Sequence, residues 1–295
     1  MSEGTASLQR KISSAGDLQS VVRTMKALAA SSIGQYEKSL QALADYSRTV
    51  ELGLGACFRQ HPPAALNEGQ KKPAAGVTGV IVFGSDQGLV GQFNDMVADH
   101  AIQTLAALPG PLQVWAVGER VHARLADAGL PLTGLFSVPH SVKAIAPLVG
   151  QIQIEMETHR SLDTYAGVYV FHNRPNAAGL YEPAGQRLLP LDAQWQQGLA
   201  NVRWPTSNLP QVMHGVLTLR ALIHEYLFIS LFRACAESLS SENASRLAAM
   251  ERADKNIDEL LESLQGTFHR LRQSSIDEEL FDVISSYELL GERKN

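Results

Sequence analysis

The chain has 295 residues, of which 45% are hydrophobic and 19% charged, and a formal net charge of −5. That length allows one large domain or two ordinary ones with a sizeable core, and the acidic balance excludes a general nucleic-acid binder, which carries a basic excess. Cys57 and Cys235 stand far apart and match no metal-ligand spacing, so no metal is expected. The first residues, "MSEGTASLQRKISSAG", hold no apolar signal core. No run reaches the roughly 18 consecutive apolar residues that span a bilayer. The most apolar one, Leu217 to Cys235, is interrupted by Arg220, His224, Glu225 and Arg233, and no direct membrane insertion is expected.

All 13 prolines fall between Pro62 and Pro210. Proline removes a donor and clashes inside a helix, so the two proline-free flanks can be long helices. In the first flank Leu8, Ile12, Ala15, Leu18, Val22, Met25, Ala29, Ile33, Tyr36, Leu40, Leu43, Ser47, Val50 and Leu54 follow in steps of three or four. A stripe sustained over about six heptads predicts a coiled coil rather than a helix lying on a globule. Residues 59–76 read as a linker. In the middle, "VTGVIVFG", "LQVWAVG" and "YAGVYVFHN" read as strands. "MVADHAIQTLAAL", "ERVHARLADAG" and "VKAIAPLVGQIQIEMETHR" read as helices, the last with Pro147 as a point of interruption. Strands alternating with helices predict an α/β layer with a mostly parallel sheet. The second flank carries Met250, Ala253, Ile257, Leu260, Leu264, Thr267 and Leu271, then an offset run of Ile276, Leu280, Val283, Tyr287 and Leu290. The predicted organisation is a coiled-coil helix at 1–58, a linker at 59–76, a Rossmann-like α/β domain at 77–208 and a second coiled-coil helix at 209–295.

The loop after the first strand, "GSDQGLVGQFN", has glycines at Gly84, Gly88 and Gly91. That is neither the G-x-G-x-x-G of a dinucleotide fold nor a P-loop, since Gln92, Phe93 and Asn94 stand where Lys and Ser/Thr would be. Asp86 would repel a phosphate. A tight strand-to-helix turn fits better than a nucleotide cradle. His122, His140, His159 and His172 have no partner at catalytic or metal spacing. Phe228 stands where H-E-x-x-H would need its second histidine after His224-Glu225, and no G-x-S-x-G occurs. No active site and no cofactor are expected. Arg10, Lys11, Arg23 and Lys26 make the start of the chain basic; "ERADKN" and "FHRLRQSSIDEEL" are polar faces near its end. Such faces solvate an exposed coiled coil or meet a protein sleeve. A Rossmann-like nucleotide-binding enzyme and a free coiled-coil scaffold stay open as alternatives.

Four segments, in order, carry a resemblance. "ISSAGDLQSVVRTMKALAAS", with Met25 and Ala29-Ala30-Ser31, resembles the N-terminal helix of the γ subunit of rotary ATP synthases. "GSDQGLVGQFN" is similar to that family's S/T-D-R-G-L-C-G-x-x-N loop through Ser85, Asp86, Gly88, Leu89, Gly91 and Asn94. "SENASRLAAMERADKN" resembles S-E-x-A-A-R-M-x-A-M-x-x-A-x-x-N, and "RQSSIDEEL" resembles R-Q-x-x-I-T-x-E-L. The resemblance implies a central rotor shaft: an antiparallel, left-handed coiled coil inside a ring of α and β subunits, with the α/β domain towards the membrane ring (the c-ring). The implied partners are α, β, ε and the c-ring, and the implied place is the cytoplasmic face of the bacterial inner membrane, peripherally. It also implies β-subunit contacts at Arg10, Lys11, Arg23, Met25, Lys26, Arg246, Arg272, Gln273 and position 277. The pattern departs at Gln87 for arginine, Val90 for cysteine, Asp277 for threonine, and Ser20 and Ser32 for lysines. The departures read as those of a divergent bacterial paralogue of the second ATPase type, often sodium-translocating; the coupling ion itself is chosen elsewhere in such a complex.

Overall fold

A strand whose odd and even positions are both apolar must be covered on both faces. Thr78–Phe83 (β1) is such a strand, buried along its whole length. The computed structural model describes residues 3–60, 76–159, 165–176, 181–208, 211–212 and 215–292. Its elements are α1 (Glu3–Gln60), β1, α2 (Phe93–Ala106), β2 (Leu112–Val117), α3 (Glu119–Asp127), β3 (Leu132–Phe136), α4 (Val142–His159), β4 (Gly167–Pro175), β5 (Tyr181–Leu189), α5 (Ala193–Asn201) and α6 (Gly215–Glu292). The linker read at 59–76 lies mostly outside the described residues. The chain divides into two units, Ala29–Arg246 and Met1–Leu28 with Leu247–Asn295.

In the larger unit the sheet runs β3-β2-β1-β4-β5. β1 pairs in parallel with β2 and β4, β2 with β3 likewise, and β5 closes the edge antiparallel to β4. Alternation along each strand sorts the core into two layers. Val80, Val82, Val114, Ala116 and Phe171 face a cluster with Val97, Ala101 and Leu105 of α2 and Val121 and Leu125 of α3. Ile81, Phe83, Trp115, Val117 and Val170 face Ile145, Val149 and Ile152 of α4, and also Tyr36 of α1 and Leu227, Leu231 and Cys235 of α6. The two long helices therefore form part of one wall of the α/β layer. They run antiparallel here: Gly53 meets Leu222, and the Tyr46 hydroxyl donates to Glu225 Oε2 at 2.6 Å. A third cluster, around Leu54, Cys57, Phe58, Leu219 and Ile229, brings in Trp195 and Leu199 of α5.

Three readings need correction. Helix α4 is not interrupted at Pro147 but runs through it. β3, β5 and α5 had no sequence signal strong enough to place them. In the smaller unit Leu18 is 60% exposed and Leu260 50% exposed, so neither lies in the seam assigned to it. By length and composition alone α6 is apolar enough to cross a membrane. Its Leu227, Ile229, Leu231, Ala234 and Cys235 are instead buried within the protein.

Candidate functional site

Two neighbouring strands end side by side at glycines, and those glycines let their loops cross. A Cβ on Gly84, just after β1, would stand 2.4 Å from Val121 Cβ. Gly118, just after β2, has φ +115°, and a Cβ there would stand 2.8 Å from Ser85 backbone atoms. Real Cβ atoms do not approach that closely, and the left-handed region disfavours side chains. Ser85 is fully buried in the crossing; its N–H donates to Asn94 Oδ1 at 2.9 Å, and Asn94 Nδ2 donates to Ser85 Oγ at 2.8 Å. Ser85 Oγ in turn donates to the Gln87 carbonyl at 2.9 Å.

The carboxyl end of a parallel sheet is where α/β proteins place phosphates, on helix N-termini. Asp86 fills that position itself. Its carboxylate accepts from the Glu119 N–H that opens α3 at 3.0 Å and from the Val138 N–H at 2.9 Å. A phosphate would have to displace a carboxylate already held by two amides. Further along the loop Leu89 sits at φ 64° and is 62% exposed, Val90 turns back in and is buried, and Gly91 follows at φ 58°. Gly88 lies nearby, within reach of Arg120.

What the loop holds is α6. Ser245 Oγ donates to the Val90 carbonyl, joining two segments 155 residues apart. One turn earlier Glu242, 5% exposed, pairs with Arg246, which also donates to Asn243 Oδ1 at 3.3 Å. Burial pushes the Glu242 carboxyl above its ordinary range; Arg246 pulls it back, Asp86 adds to the rise and His140 opposes it. Burial also raises the Tyr36 hydroxyl on the facing helix, and Glu242 adds to that. On the same helix Glu237 Oε2 lies 2.7 Å from His172 Nε2 of β4. Sequence spacing missed that pair, because His172 and Glu237 meet only through the packing of α6 on the sheet. The loop motif and the "SENASR" motif were read as separate; they are the two halves of one joint.

In the smaller unit a polar ladder accompanies the apolar seam. Arg23 Nε contacts Asp254 Oδ1 at 3.1 Å, and Lys26 Nζ lies 3.9 Å from both Glu251 and Asp254. Gln19, not Leu18, faces the partner helix and donates to Asp254 and Asp258. Contacts that move towards the N terminus of α1 as they move towards the C terminus of α6 make this pairing antiparallel too. Met25 is half-buried beside them, while Arg10 and Lys11 are exposed, Arg10 Nε donating to Ala6 O at 3.3 Å. Arg272, Gln273 and Asp277 are exposed on α6. Of the cations expected to meet a partner, Arg23, Lys26 and Arg246 thus also serve acids of this chain.

The model of the family described as ATP synthase matches residues 4–290. The chain belongs to this family, as a γ subunit. Similar curated proteins include the ATP synthase gamma chains of Glaesserella parasuis, 26% identical over 302 residues (96% of this chain, 98% of that one), and of Dechloromonas aromatica, 23% identical over 289 residues (94% and 96%). Among solved structures, the central stalk and c-ring of the Tetrahymena thermophila mitochondrial ATP synthase has a chain of like fold. That likeness has a TM-score of 0.56 at 21% identity and covers 79% of this chain and 99% of that one. The rotor of the Euglena gracilis mitochondrial enzyme gives a TM-score of 0.56 at 14% identity, covering 92% and 99%. As a γ subunit the chain is a rotor-shaft component of an ATP synthase, peripheral to the membrane, and couples ion translocation to ATP synthesis or hydrolysis without being catalytic itself.

Proposed function

We propose that this shaft turns inside a ring of α and β subunits, with an ε subunit and a membrane c-ring at the other end, on the cytoplasmic face of a bacterial inner membrane. The observation that carries the reading is the joint: Ser245 and Val90 tie the stretch of α6 within the larger unit to the α/β layer through buried groups. Torque entering at the α/β layer is then passed to that stretch of α6 through a buried contact instead of a loose loop. Towards the ring we assign contacts to Arg10, Lys11, Arg23, Met25, Lys26, Arg246, Arg272, Gln273 and Asp277. A guanidinium has five donors in a fixed fork, so Arg246 can hold Glu242 and Asn243 and still offer donors to a partner's acceptor. Each exposed contact is worth roughly 0.2–1 kcal/mol, weak enough to break on every turn.

Expressed with candidate α and β subunits, the tagged chain should co-purify with both, as identified by mass spectrometry. Arg272→Ala with Gln273→Ala should lower ATP hydrolysis of the complex several-fold and leave the helicity of the free chain unchanged. A chain that never co-purifies with such subunits would count against the shaft. The departures at Gln87, Val90 and Asp277, with identities of 23–26% to the relatives above, support a paralogue adapted to its own ring.

A further inference from the structure

The most deeply buried stretch of α6 is also rich in serine. From Ala234 to Glu242 every residue but Glu237 is buried, and the stretch includes Ser238, Ser240 and Ser241. Serine is a poor wall for a dry core. A covered hydroxyl left unpaired costs free energy, and in a helix it commonly turns back to the carbonyl four residues earlier. Ser245, one turn on, is accounted for by the Val90 carbonyl. Ser238 and Ser241 are not. They are 2% and 0% exposed, and their Oγ atoms meet no hydrogen-bond partner among the described residues. The same holds for Glu242 Oε2, while Oε1 of that carboxylate accepts from Arg246. Positions 238, 241 and 242 stand at i, i+3 and i+4, so Ser241 and Glu242 both neighbour Ser238 on one face of the helix, with Cβ atoms about 5–6 Å from its own. Orphaned buried polar atoms are few in native proteins, and each calls for an explanation. Three on one triangle call for a common one.

We propose that this triangle is a binding site for an internal water molecule, held by Ser238 Oγ, Ser241 Oγ and Glu242 Oε2. Two groups that each bond one water at about 2.8 Å can stand up to about 5.6 Å apart, which suits neighbours on a helix face. Buried water makes about three such bonds, and three partners are on offer. The hydroxyls can donate or accept, and water supplies the donor that the carboxylate oxygen lacks. A sodium or potassium ion would find the same oxygens, but with the Arg246 guanidinium already beside Glu242 it would also meet a like charge. A neutral molecule avoids that repulsion. Glu242 is then served on both oxygens, by Arg246 and by water, with Tyr36 of α1, Asp86 and His140 near enough to couple to its charge. The site lies wholly within Ala29–Arg246 and does not depend on which ring the shaft meets.

The test uses the full chain, unchanged and with Ser238→Ala and Ser241→Ala together. A density map fine enough to show water should place one peak within hydrogen-bond distance of all three atoms. Hydroxyls turned to the carbonyls of Ala234 and Glu237, with no such peak, would overturn the proposal. The double variant separates the cases in solution as well. If the hydroxyls are merely unpaired, removing them should leave stability unchanged or higher, and that result would overturn the site. If they hold a water, removing them should raise the unfolded-to-folded ratio about tenfold in denaturant unfolding, with circular dichroism showing the folded variant to be equally helical. Glu242 adds a readout that a packing defect would not move. Loss of a water donating to Oε2 disfavours the carboxylate, so the pH window over which Glu242 affects stability should move upward in the variant. An unmoved window would count against a bound water. Exchanging sodium and potassium for choline should change nothing, whereas a requirement for either ion would put a cation in its place.

Discussion

The two units are built on opposite principles. In Ala29–Arg246 the sheet and its helices bury Phe83, Phe93, Trp115, Ile152 and Phe171 almost completely. In the unit made of Met1–Leu28 and Leu247–Asn295, the buried side chains among the described residues are Thr5, Ala15 and Met250. Burial of apolar area is the main favourable term in folding, so the larger unit carries most of the stability. The smaller keeps a narrow seam flanked by exchangeable ion pairs. For a shaft the division is useful: one part must be rigid, and the other must present a surface whose contacts can be made and broken.

Substitutions can break or sharpen that contrast. The largest effect should come from the sheet: Phe83→Ala removes a fully buried ring and should cost about 3–5 kcal/mol in denaturant unfolding of the free chain, while Met250→Ala, in the thin seam, should cost less. A loss at Met250 equal to that at Phe83 would mean the seam is a true core. Gly118→Ala should cost about 1–3 kcal/mol, because its Cβ would be forced onto the Ser85 backbone at 2.8 Å; unchanged stability would show that the crossing relaxes freely. Ser245→Ala should cost about 1–2 kcal/mol by leaving the Val90 carbonyl unpaired, with coupling in the complex falling more than this small loss explains. Arg23→Ala should be the mildest, under about 1 kcal/mol and fading with salt, since it breaks only exposed pairs.

The joint also has a pH signature. Burial raises the folded-state value for Glu242 above its ordinary 4.5. The folded chain therefore holds this proton more tightly than the unfolded one, and the associated stability is complete below that ordinary value. It is lost as pH rises through the higher folded value. Glu242→Gln should remove that component, so the difference between the two unfolding curves should change across this window and be flat elsewhere. A constant difference would mean that Glu242 titrates normally.

Sequence legibility followed the same division. β1, β2 and β4 could be read because buried parallel strands are runs of Val, Ile and Phe. β5 could not: Tyr181–Leu189 contains Pro183 and Gly185, is mostly half-buried, and is a strand because β4 pairs with it. β3 is short and only partly buried at the other edge. The seam of the smaller unit was misphased at Leu18 because periodicity counts apolar residues, while the structure turns Gln19 inward to the acids of α6. The loop's glycine spacing argued for a tight turn over a nucleotide cradle, yet its partner Ser245 was out of reach of any local rule.

The most direct measurement is rotation of the shaft itself. With the α and β ring fixed to a surface and a bead attached to the α/β layer, ATP should drive the bead around in one direction, and Ser245→Ala should slip or stall under load sooner than the unchanged chain. A complex that hydrolyses ATP at full rate while the bead stays still would contradict a shaft that links nucleotide chemistry to motion.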